Sequence, residues 1–379
     1  MRRFQDSLDR KGFREYSRIT PLIPSRKGAA AMEHAPIETP ERKAFYARID
    51  KQNMTPLWSV LGALITPEPR SACLPALWRF EEIRKAMLEA GALITAKEAE
   101  RRVLILENPG MRGQSKITTS LFAGVQLVMP HEVAPAHRHS QSALRFVLEG
   151  KGAHTSVNGE RTLMSPGDFV ITPSMAWHDH GNHTDEPMFW LDGLDIPIIQ
   201  LMDASFVERH EDDEQPIAKP VGDSIARYGA NLLPIDYRGA SATSPIFNYP
   251  YDRTREALHQ LGRANGCDPC HGIKMRYTNP ANGDHAMPTI ATYIQLLAKG
   301  FKTSRYRSTD ATVFVAMEGR GQTRAGAETF QWGPKDIFVL PSWKPIVHEA
   351  LDGDCVLFSF SDRPVQEKIG VWREDRANA

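Results

Sequence analysis

Four histidines occur in two closely spaced pairs, and this spacing could build a metal site. His137 and His139 lie in "APAHRHSQSALRFVLEGKG", and His178 and His180 lie in "ITPSMAWHDHGN". Side chains two residues apart on a β-strand point to the same face of the sheet. If both strands belong to one small barrel, three of these four imidazoles can converge on one ion inside it. Imidazole binds iron, zinc, copper, nickel and manganese, so ligand type alone leaves the metal open.

The strands that must position these histidines are predicted by the sequence pattern. From about residue 117, runs of Val, Ile and Phe are broken by Gly, Pro, Asn and Asp at intervals of about eight to twelve residues. This pattern is typical of an antiparallel sandwich or barrel. Two segments also repeat: "RFVLEGKG" (145–152) aligns with "FVAMEGRG" (314–321), and "SPGDFVITPS" (165–174) aligns with "GPKDIFVLPS" (333–342). The repeat indicates a duplicated β unit and therefore two similar barrels.

Helices are predicted outside these β regions. "ETPERKAFYARIDKQNM" offers Thr39 as N-cap and Pro40 at the first helical position. "WRFEEIRKAMLEAG" has helical spacing, with Gly91 placed to end the helix, and "DRTREALHQLGRANG" predicts a third helix. We therefore expect a flexible N-terminal tail (1–37), a helical extension (38–110), a catalytic barrel (111–205), a linker with a helix (206–285), and a second barrel without a metal site plus a C-terminal tail (286–379).

The composition narrows the class of protein. The chain has 379 residues, 41% hydrophobic content, and 46 basic residues against 46 acidic ones. This balance is typical of globular proteins and argues against a nucleic-acid partner, which normally requires a basic surface stripe. The basic start carries acidic residues and no apolar run, and no segment is apolar enough for a membrane helix. We therefore expect no membrane partner and a cytoplasmic location.

The stretch "CDPCH" (267–271) matches the pattern for covalent haem attachment. That chemistry would need export to an oxidising compartment, and no export signal is recognised. Half of a zinc site is also considered, but a second Cys/His pair is missing nearby. We expect a polar loop closed by Asp268 and Pro269.

Around the histidine pairs the sequence resembles the cupin superfamily. The second cupin motif matches at Gly167, Pro173, His178 and Asn182, with Met175 where a glycine is usual. The first motif matches at the His-x-His pair and at Gly150, but His131 stands at its leading glycine position and no glutamate follows the pair. The resemblance implies a mainly β bicupin fold of two antiparallel β-barrels with an N-terminal helical extension.

More specifically, the sequence resembles the bicupin ring-cleaving dioxygenases typified by gentisate 1,2-dioxygenase. The resemblance rests on "LFAGVQLVMPHEVAPAHRHSQSALRF", "ITPSMAWHDHGN" and "FWLDGLDIP", and on the missing glutamate. It implies one Fe(II) per chain, bound by His137, His139 and His178. Three neutral histidines leave three adjacent positions open and keep the full charge of the metal, which suits an anionic aromatic chelate and dioxygen.

The activity implied by the resemblance is cleavage of gentisate between its carboxyl- and hydroxyl-bearing carbons to give maleylpyruvate, in a homotetramer. Salicylate and 1-hydroxy-2-naphthoate are the alternative substrates. A non-catalytic, small-molecule-binding bicupin and a zinc- or manganese-dependent cupin isomerase or decarboxylase are the alternatives from other classes.

Further residues are predicted to contact the small aromatic hydroxy acid or dioxygen. By resemblance, His180 hydrogen-bonds substrate or a reacting oxygen as an acid or base near neutral pH. Arg145 has the parity of the His-x-His pair and could hold the substrate carboxylate in a fork. The remaining candidates share a strand face directed to the cavity, or match family positions near the substrate: Phe122, Gly124 and Gln126 on the strand face, and Arg101 and Asp192 by resemblance. The alternative for Arg101 and Asp192 is a structural ion pair, either with each other or with neighbouring residues.

The second β unit offers no equivalent ligand set. Tyr306, Ser308 and Ile346 align with His137, His139 and His178, respectively, and His348 aligns with the non-ligand His180. We therefore expect the second barrel to serve packing, cavity closure and oligomer contacts.

Overall fold

The structure is a computed structural model that describes residues 38–239, 241–264 and 266–376. The predicted N-terminal tail (1–37) lies outside the described residues. The described residues divide into two units, with the boundary between Ile65 and Thr66. The described part of the first unit contains helices α1 (Pro40–Asp50) and α2 (Leu57–Leu64). Thr39 caps α1 as predicted, since its Oγ1 accepts a hydrogen bond from the Arg42 amide at 3.3 Å.

The second unit begins with a strand and two helices that lead into the first barrel. These are β1 (Ala76–Trp78), α3 (Phe80–Leu93) and α4 (Ala96–Ala99). The prediction that Gly91 ends α3 is wrong, because the helix continues to Leu93. Gly91 instead lies against β-sheet side chains, where an added Cβ would come within 3.1 Å of Met129 Sδ. Close packing, rather than helix termination, explains glycine at this position.

The first barrel consists of two antiparallel sheets. Its strands are β2 (Val103–Ile105), β3 (Phe122–Val128), β4 (Val133–His139), β5 (Ala143–Glu149), β6 (His154–Val157), β7 (Glu160–Leu163), β8 (Phe169–Thr172), β9 (His178–Gly181), β10 (Met188–Leu194), β11 (Val207–Arg209) and β12 (Asn248–Tyr249). One sheet has the order β12-β8-β5-β10-β3-β2, and the other has the order β11-β4-β9-β6-β7. The histidine pairs therefore lie on neighbouring strands, β4 and β9.

The segment between the barrels contains three helices of 6, 6 and 13 residues. Helices α5 (Ile196–Leu201), α6 (Asp223–Tyr228) and α7 (Tyr251–Arg263) follow the first barrel, and α7 is the helix that the sequence predicts. This segment also supplies strands that the sequence did not predict, because β11 and β12 are edge strands of only 3 and 2 residues. Strands this short show no alternation of apolar and polar residues.

The second barrel repeats the two-sheet arrangement. Its strands are β13 (Ile273–Arg276), β14 (Ala291–Leu297), β15 (Tyr306–Ser308), β16 (Thr312–Glu318), β17 (Gly321–Ala325), β18 (Glu328–Trp332), β19 (Ile337–Leu340), β20 (Ile346–Ala350), β21 (Cys355–Ser361) and β22 (Glu374–Arg376), with helix α8 (Arg363–Lys368) before β22. The sheet orders are β1-β19-β16-β21-β14-β13 and β18-β17-β20-β15-β22. The predicted mainly β bicupin fold is confirmed.

One hydrophobic core joins the two barrels. Phe146 of the first barrel stacks on Phe358 of the second, with ring centroids 4.1 Å apart and planes 11° from parallel. Both rings are fully buried, as is Phe169 beside them. Because each barrel buries an apolar sheet face against the other, we expect the two barrels to unfold together.

Two further predictions concern loops and membranes. Asp268 and Gly272 exchange two backbone hydrogen bonds of 2.7 Å, so "CDPCH" lies in a tight turn, but Gly272 rather than Pro269 is the residue that closes it with Asp268. In that turn Cys270 is buried and Cys267 is exposed. Within the described residues, none of the helices combines the length and apolar character needed to span a membrane.

Candidate metal centre

Three histidines converge on one point inside the first barrel. His137 on β4 lies directly opposite His178 on β9, and a bulge between Ala134 and His137 shifts the register of β4 just before this pair. His139 follows on the same face of β4. The ring centroids of the three histidines are 4.2, 4.9 and 5.3 Å apart, and their candidate ligand nitrogens all lie within 4.8 Å of one another. This spacing fits ligands to a single ion.

Hydrogen bonds orient each of these imidazoles through Nδ1. Nδ1 of His139 lies 2.9 Å from the carbonyl of Gln141, and Nδ1 of His178 lies 3.0 Å from that of Ala176. Nδ1 of His137 lies 3.2 Å from the carbonyl of Pro135. A carbonyl only accepts, so for His139 and His178 these contacts place the proton on Nδ1 and leave the lone pair on Nε2. Nδ1 of His137 lies between the Pro135 carbonyl, which accepts, and Nη2 of Arg101, which donates, so its contacts do not select one tautomer.

The environment keeps the same histidines neutral. Burial, with nearby Arg101 and His139, lowers the pKa of His137 to about 3. Burial also lowers the pKa of His139 to about 4, and it places the pKa of His178 well below its usual range. Nε2 of His178 is buried and has no hydrogen-bond partner among the described residues. A buried, neutral nitrogen with a free lone pair is what a metal ligand requires, so the three histidines fit a divalent transition metal.

A cavity of about 370 Å³ opens beside the three histidines. Nearly all of the residues that the sequence predicts for the site line this cavity, namely His137, His139, His178, His180, Arg101, Phe122, Gln126, Arg145 and Asp192. Gly124 is the predicted site residue that does not line it. A Cβ at this glycine would lie 2.5 Å from Cγ1 of Val103, so Gly124 leaves room for Val103, which lines the cavity in its place.

Arg145 is the central cation of this cavity. It is 4% exposed and donates to Thr172 Oγ1 at 2.5 Å and to Nε2 of His180 at 3.0 Å. Its Nε lies 3.6 Å from Oδ1 of Asp192, which also accepts from the indole of Trp190 at 3.0 Å. Burial raises the pKa of Asp192 to about 6, despite the opposing effect of Arg145. These contacts therefore fix the position and the orientation of the Arg145 guanidinium at the cavity wall.

His180 is held in one tautomer by two neighbours. A guanidinium only donates, so Nε2 of His180 accepts from Arg145, and Nδ1 carries the proton that it shares with Thr155 Oγ1 at 2.9 Å. Burial and Arg145 place the pKa of His180 well below its usual range. The free protein thus presents His180 as a neutral group at neutral pH, which favours a hydrogen-bonding or basic role over donation from an imidazolium.

Arg101 lines the same cavity beside His137. Its Nη2 lies 2.5 Å from the Pro135 carbonyl and 2.5 Å from Nδ1 of His137. Burial, together with the nearby Arg145, lowers the pKa of Arg101 to about 10, so its guanidinium stays charged at neutral pH. Asp192 forms its ion pair with Arg145, and no Arg101–Asp192 ion pair occurs among the described residues. Two cations against one carboxylate make the cavity attractive to an anion.

Several cavity residues were not predicted from the sequence. Val103 and Ile105 on β2 line the cavity together with Ala143, Leu194 and Ile196. Val103 and Ile105 lie two and four residues after Arg101, so on an extended strand they point to the same side as Arg101 and could have been predicted from this alternation. Thr155 and Thr172, which orient His180 and Arg145, lie on β6 and β8, and no local sequence signal connects them to the histidines.

The fold and this site together define a two-barrel cupin with a cluster of three histidines that could hold a metal ion. The cupin domain family model matches residues 124–194, which include all three histidines. The chain is 60% identical over 341 residues to gentisate 1,2-dioxygenase 1 of Aquipseudomonas alcaligenes, which covers 90% of this chain and 98% of that protein. It is 34% identical to the 1-hydroxy-2-naphthoate 1,2-dioxygenase of Nocardioides sp. (strain KP7), over 81% of this chain and 80% of that protein.

Solved structures agree with these sequence similarities. The salicylate 1,2-dioxygenase from Pseudoaminobacter salicylatoxidans, determined as an adduct with gentisate, superposes with a TM-score of 0.87 at 35% identity. The match covers 92% of this chain and 97% of that chain. The chain therefore belongs to the gentisate 1,2-dioxygenase family of ring-cleaving dioxygenases.

Proposed function

We propose that this protein is an Fe(II)-dependent gentisate 1,2-dioxygenase that cleaves the ring between the carboxyl- and hydroxyl-bearing carbons to give maleylpyruvate. The observation that carries the proposal is the cluster of three neutral histidines within a cationic cavity. Membership of the family and the 60% identity to a gentisate 1,2-dioxygenase support the choice of substrate.

The metal ligands in this proposal are His137, His139 and His178, each through Nε2. Fe(II) held there would supply the electron transfer between an electron-rich ring and dioxygen that ring cleavage needs. Three neutral imidazoles add no negative charge to the site. An anionic chelating substrate therefore meets a more positive site than it would beside a protein carboxylate.

Two arginines would bind and orient the substrate. Arg145 is fixed by Thr172 and Asp192, and we assign it the substrate carboxylate, which a guanidinium can hold through two parallel hydrogen bonds. Arg101 adds a second positive charge to the same cavity. His180, whose Nε2 already accepts from Arg145, would accept a proton or hydrogen bond when substrate draws Arg145 away.

Gln126 is proposed as the residue that selects gentisate over salicylate. Its side chain is 3% exposed and lines the cavity, and within the described part of the chain it forms no hydrogen bond. Phe122 on the same strand face has no polar group to offer. The second hydroxyl of gentisate needs a polar partner when it is buried, and the amide of Gln126 can provide one.

The experiment that tests the proposal is anaerobic reconstitution with Fe(II), followed by oxygen-electrode assays. Gentisate, salicylate and 1-hydroxy-2-naphthoate are compared on the wild type, on Gln126→Leu and on His137→Ala. We expect uptake with gentisate, a fall in the gentisate-to-salicylate ratio of kcat/KM in Gln126→Leu, and no uptake in His137→Ala. Absence of uptake with all three substrates would refute the dioxygenase, and it is the result that a non-catalytic bicupin predicts.

We further propose a homotetramer and the domain bounds predicted from the sequence (38–110, 111–205, 206–285 and 286–379). Family resemblance supports the tetramer, and strands β3–β10 and β14–β21, which lie within 111–205 and 286–379, support the bounds. Strands β1, β2, β11, β12 and β13 join the barrel sheets from outside these bounds, which the short length of those strands concealed in the sequence. Analytical ultracentrifugation of the metal-loaded protein measures the first, and limited proteolysis maps the second.

A further inference from the structure

The second barrel contains a cavity of about 280 Å³ at the position of the metal centre in the first barrel. Tyr306 pairs with Ile346 across β15 and β20, as His137 pairs with His178 across β4 and β9. Both Tyr306 and Ile346 line this second cavity. The duplicated fold therefore retains the cavity of a cupin site while the ligand positions carry side chains that cannot hold the same metal.

The positively charged side chain of this cavity comes from a different strand position than in the first cavity. Gln295 pairs with Lys274 across β13 and β14, and Gln126 pairs with Val103 across β2 and β3. Since Gln295 and Gln126 both line their cavities, Lys274 occupies the place of the apolar Val103. In the repeated segments Phe314 aligns with Arg145, so the second cavity has a phenylalanine where the first cavity has its arginine.

The ammonium group of Lys274 forms no ion pair within 4.0 Å among the described residues, although the carboxylates of Asp310 and Asp268 lie near enough to favour its charged form. Nζ lies 4.7 Å from the centroid of the Tyr293 ring, a cation–π contact. No carboxylate oxygen lies within 4.0 Å of it, and it forms no hydrogen bond, among the residues that the structure describes. Burial lowers the pKa of Lys274 to about 8, so most of the population remains charged at pH 7. A cation in such surroundings is destabilising unless an anion joins it.

The acidic residues that line the cavity accept hydrogen bonds from groups other than Lys274, and Asp310 keeps a charge that no described cation pairs with inside 4.0 Å. Both carboxylate oxygens of Asp268 accept from Nη2 of Arg376, and the longer of the two N–O distances is 2.6 Å. Asp310 accepts from the indole N–H of Trp372 at 3.0 Å. The neighbouring arginines also have carboxylate partners, namely Asp375 for Arg307 at 2.8 Å and Glu367 for Arg363 at 2.6 Å. Of the other lining cations, Arg276 is exposed and donates to the Gly283 carbonyl at 2.9 Å, and Lys344 is half-buried with no carboxylate oxygen within 4.0 Å among the described residues. Lys274, also half-buried, is the lining lysine that lies over the ring of Tyr293.

The rest of the wall offers both polar and apolar contacts. The hydroxyl of Tyr293 and Oε1 of Gln295 are buried without hydrogen-bond partners among the described residues. Phe314, Leu340 and Ile346 supply an apolar surface on the same cavity. The volume of about 280 Å³ lies near the lower end of small-molecule sites, which span roughly 300–1,000 Å³.

We propose that the second barrel binds a small organic monocarboxylate, with its carboxylate on Lys274 and the Tyr293 hydroxyl and its flat or apolar body against Phe314 and Ile346. The ammonium of Lys274 can match the charge of one carboxylate. This role is independent of the metal centre, since neither Lys274 nor Tyr293 lines the first cavity.

A crystallographic soak with 4-bromobenzoate tests the site directly on the iron-loaded full chain. Bromine is located by its anomalous signal, and this probe lacks the ortho hydroxyl that chelation would use. We expect a bromine peak in the second cavity, with the carboxylate within about 3.5 Å of Lys274 Nζ. Absence of a peak in the second barrel at saturating probe would overturn the proposal.

Calorimetric titration with benzoate measures the same site in solution. In Lys274→Met we expect affinity at this site to fall about tenfold or more, because a charged hydrogen bond is lost. The exposed Lys299→Met should bind as the wild type does, and the neutral isostere benzamide should not bind. Equal affinity in Lys274→Met and wild type would contradict the proposal. Retained oxygen uptake by Lys274→Met shows that the variant is folded, and the binding result holds whether or not gentisate is the substrate of the first barrel.

Discussion

Replacing Arg145 by methionine separates two roles that the structure gives to one side chain. Arg145 neutralises the buried carboxylate of Asp192, and it is also our proposed anchor for the substrate carboxylate. The single variant Arg145→Met loses both roles. The double variant Arg145→Met with Asp192→Asn removes both charges of the ion pair, so no unpaired carboxylate is left in the cavity wall. It still leaves the substrate carboxylate without the guanidinium.

The cost in stability follows from the burial of the pair. Arg145 and Asp192 are 4% and 5% exposed, and removing one partner of a buried ion pair costs about 3–5 kcal/mol. We expect the lower value, about 3 kcal/mol, because the Trp190 indole still donates to Asp192 and the carboxyl can take up a proton. Its folded pKa, already about 6, would rise further above the unfolded value of about 3.9. The folded variant then binds more protons than the unfolded chain, so the loss of stability shrinks as the pH falls towards 4.

The cost in catalysis comes from at least one lost hydrogen bond to a charged group, about 1.5–3 kcal/mol. With about 1.4 kcal/mol for each factor of ten, kcat/KM for gentisate should fall between about tenfold and a hundredfold. Urea unfolding and oxygen uptake measure the two effects. We expect the double variant to recover most of the stability and none of the kcat/KM. Recovery of wild-type kcat/KM in the double variant would refute Arg145 as the substrate anchor and leave it a structural counter-ion.

Three further predictions test other parts of the molecule. His178→Ala should lose bound iron, measured by mass spectrometry of metals, and all oxygen uptake, whereas the exposed His259→Ala should keep both. Gly124→Val should clash with Val103 and lower the free energy of unfolding by about 1–3 kcal/mol, and unchanged stability would show that β2 moves freely. Burial lowers the pKa of His348 to about 3, below the unfolded value of about 6.5, so the unfolded chain binds the extra proton and stability falls as the pH decreases from 6.5 towards 4. His348→Gln should reduce that slope by up to about 1.4 kcal/mol per pH unit in urea titrations.

Local patterns predicted some elements of this fold and missed others for identifiable reasons. The helix from Pro40 was found because its cap depends on a neighbour three residues away. The end of α3 was misplaced at Gly91, since the packing of that residue against Met129 is set by a strand nearly forty residues away. Strands β11 and β12 were missed because edge strands of 3 and 2 residues are stabilised by pairing with the barrel, which leaves no pattern in their own sequence.

The sequence by itself determined which three histidines cluster, the duplicated barrels and the family, because these depend on residue types at short, regular spacing. His137 and His139 share a face through the period of a β-strand, and the repeated turn segments mark the second barrel. Only the tertiary structure decided which groups are charged and which are paired. It joined Arg145 to Asp192 and His180, and it left Lys274 of the second cavity without an ion pair within 4.0 Å among the described residues. Such pairing depends on which strands are neighbours and on how far water is excluded, and neither property is encoded in a local stretch of sequence.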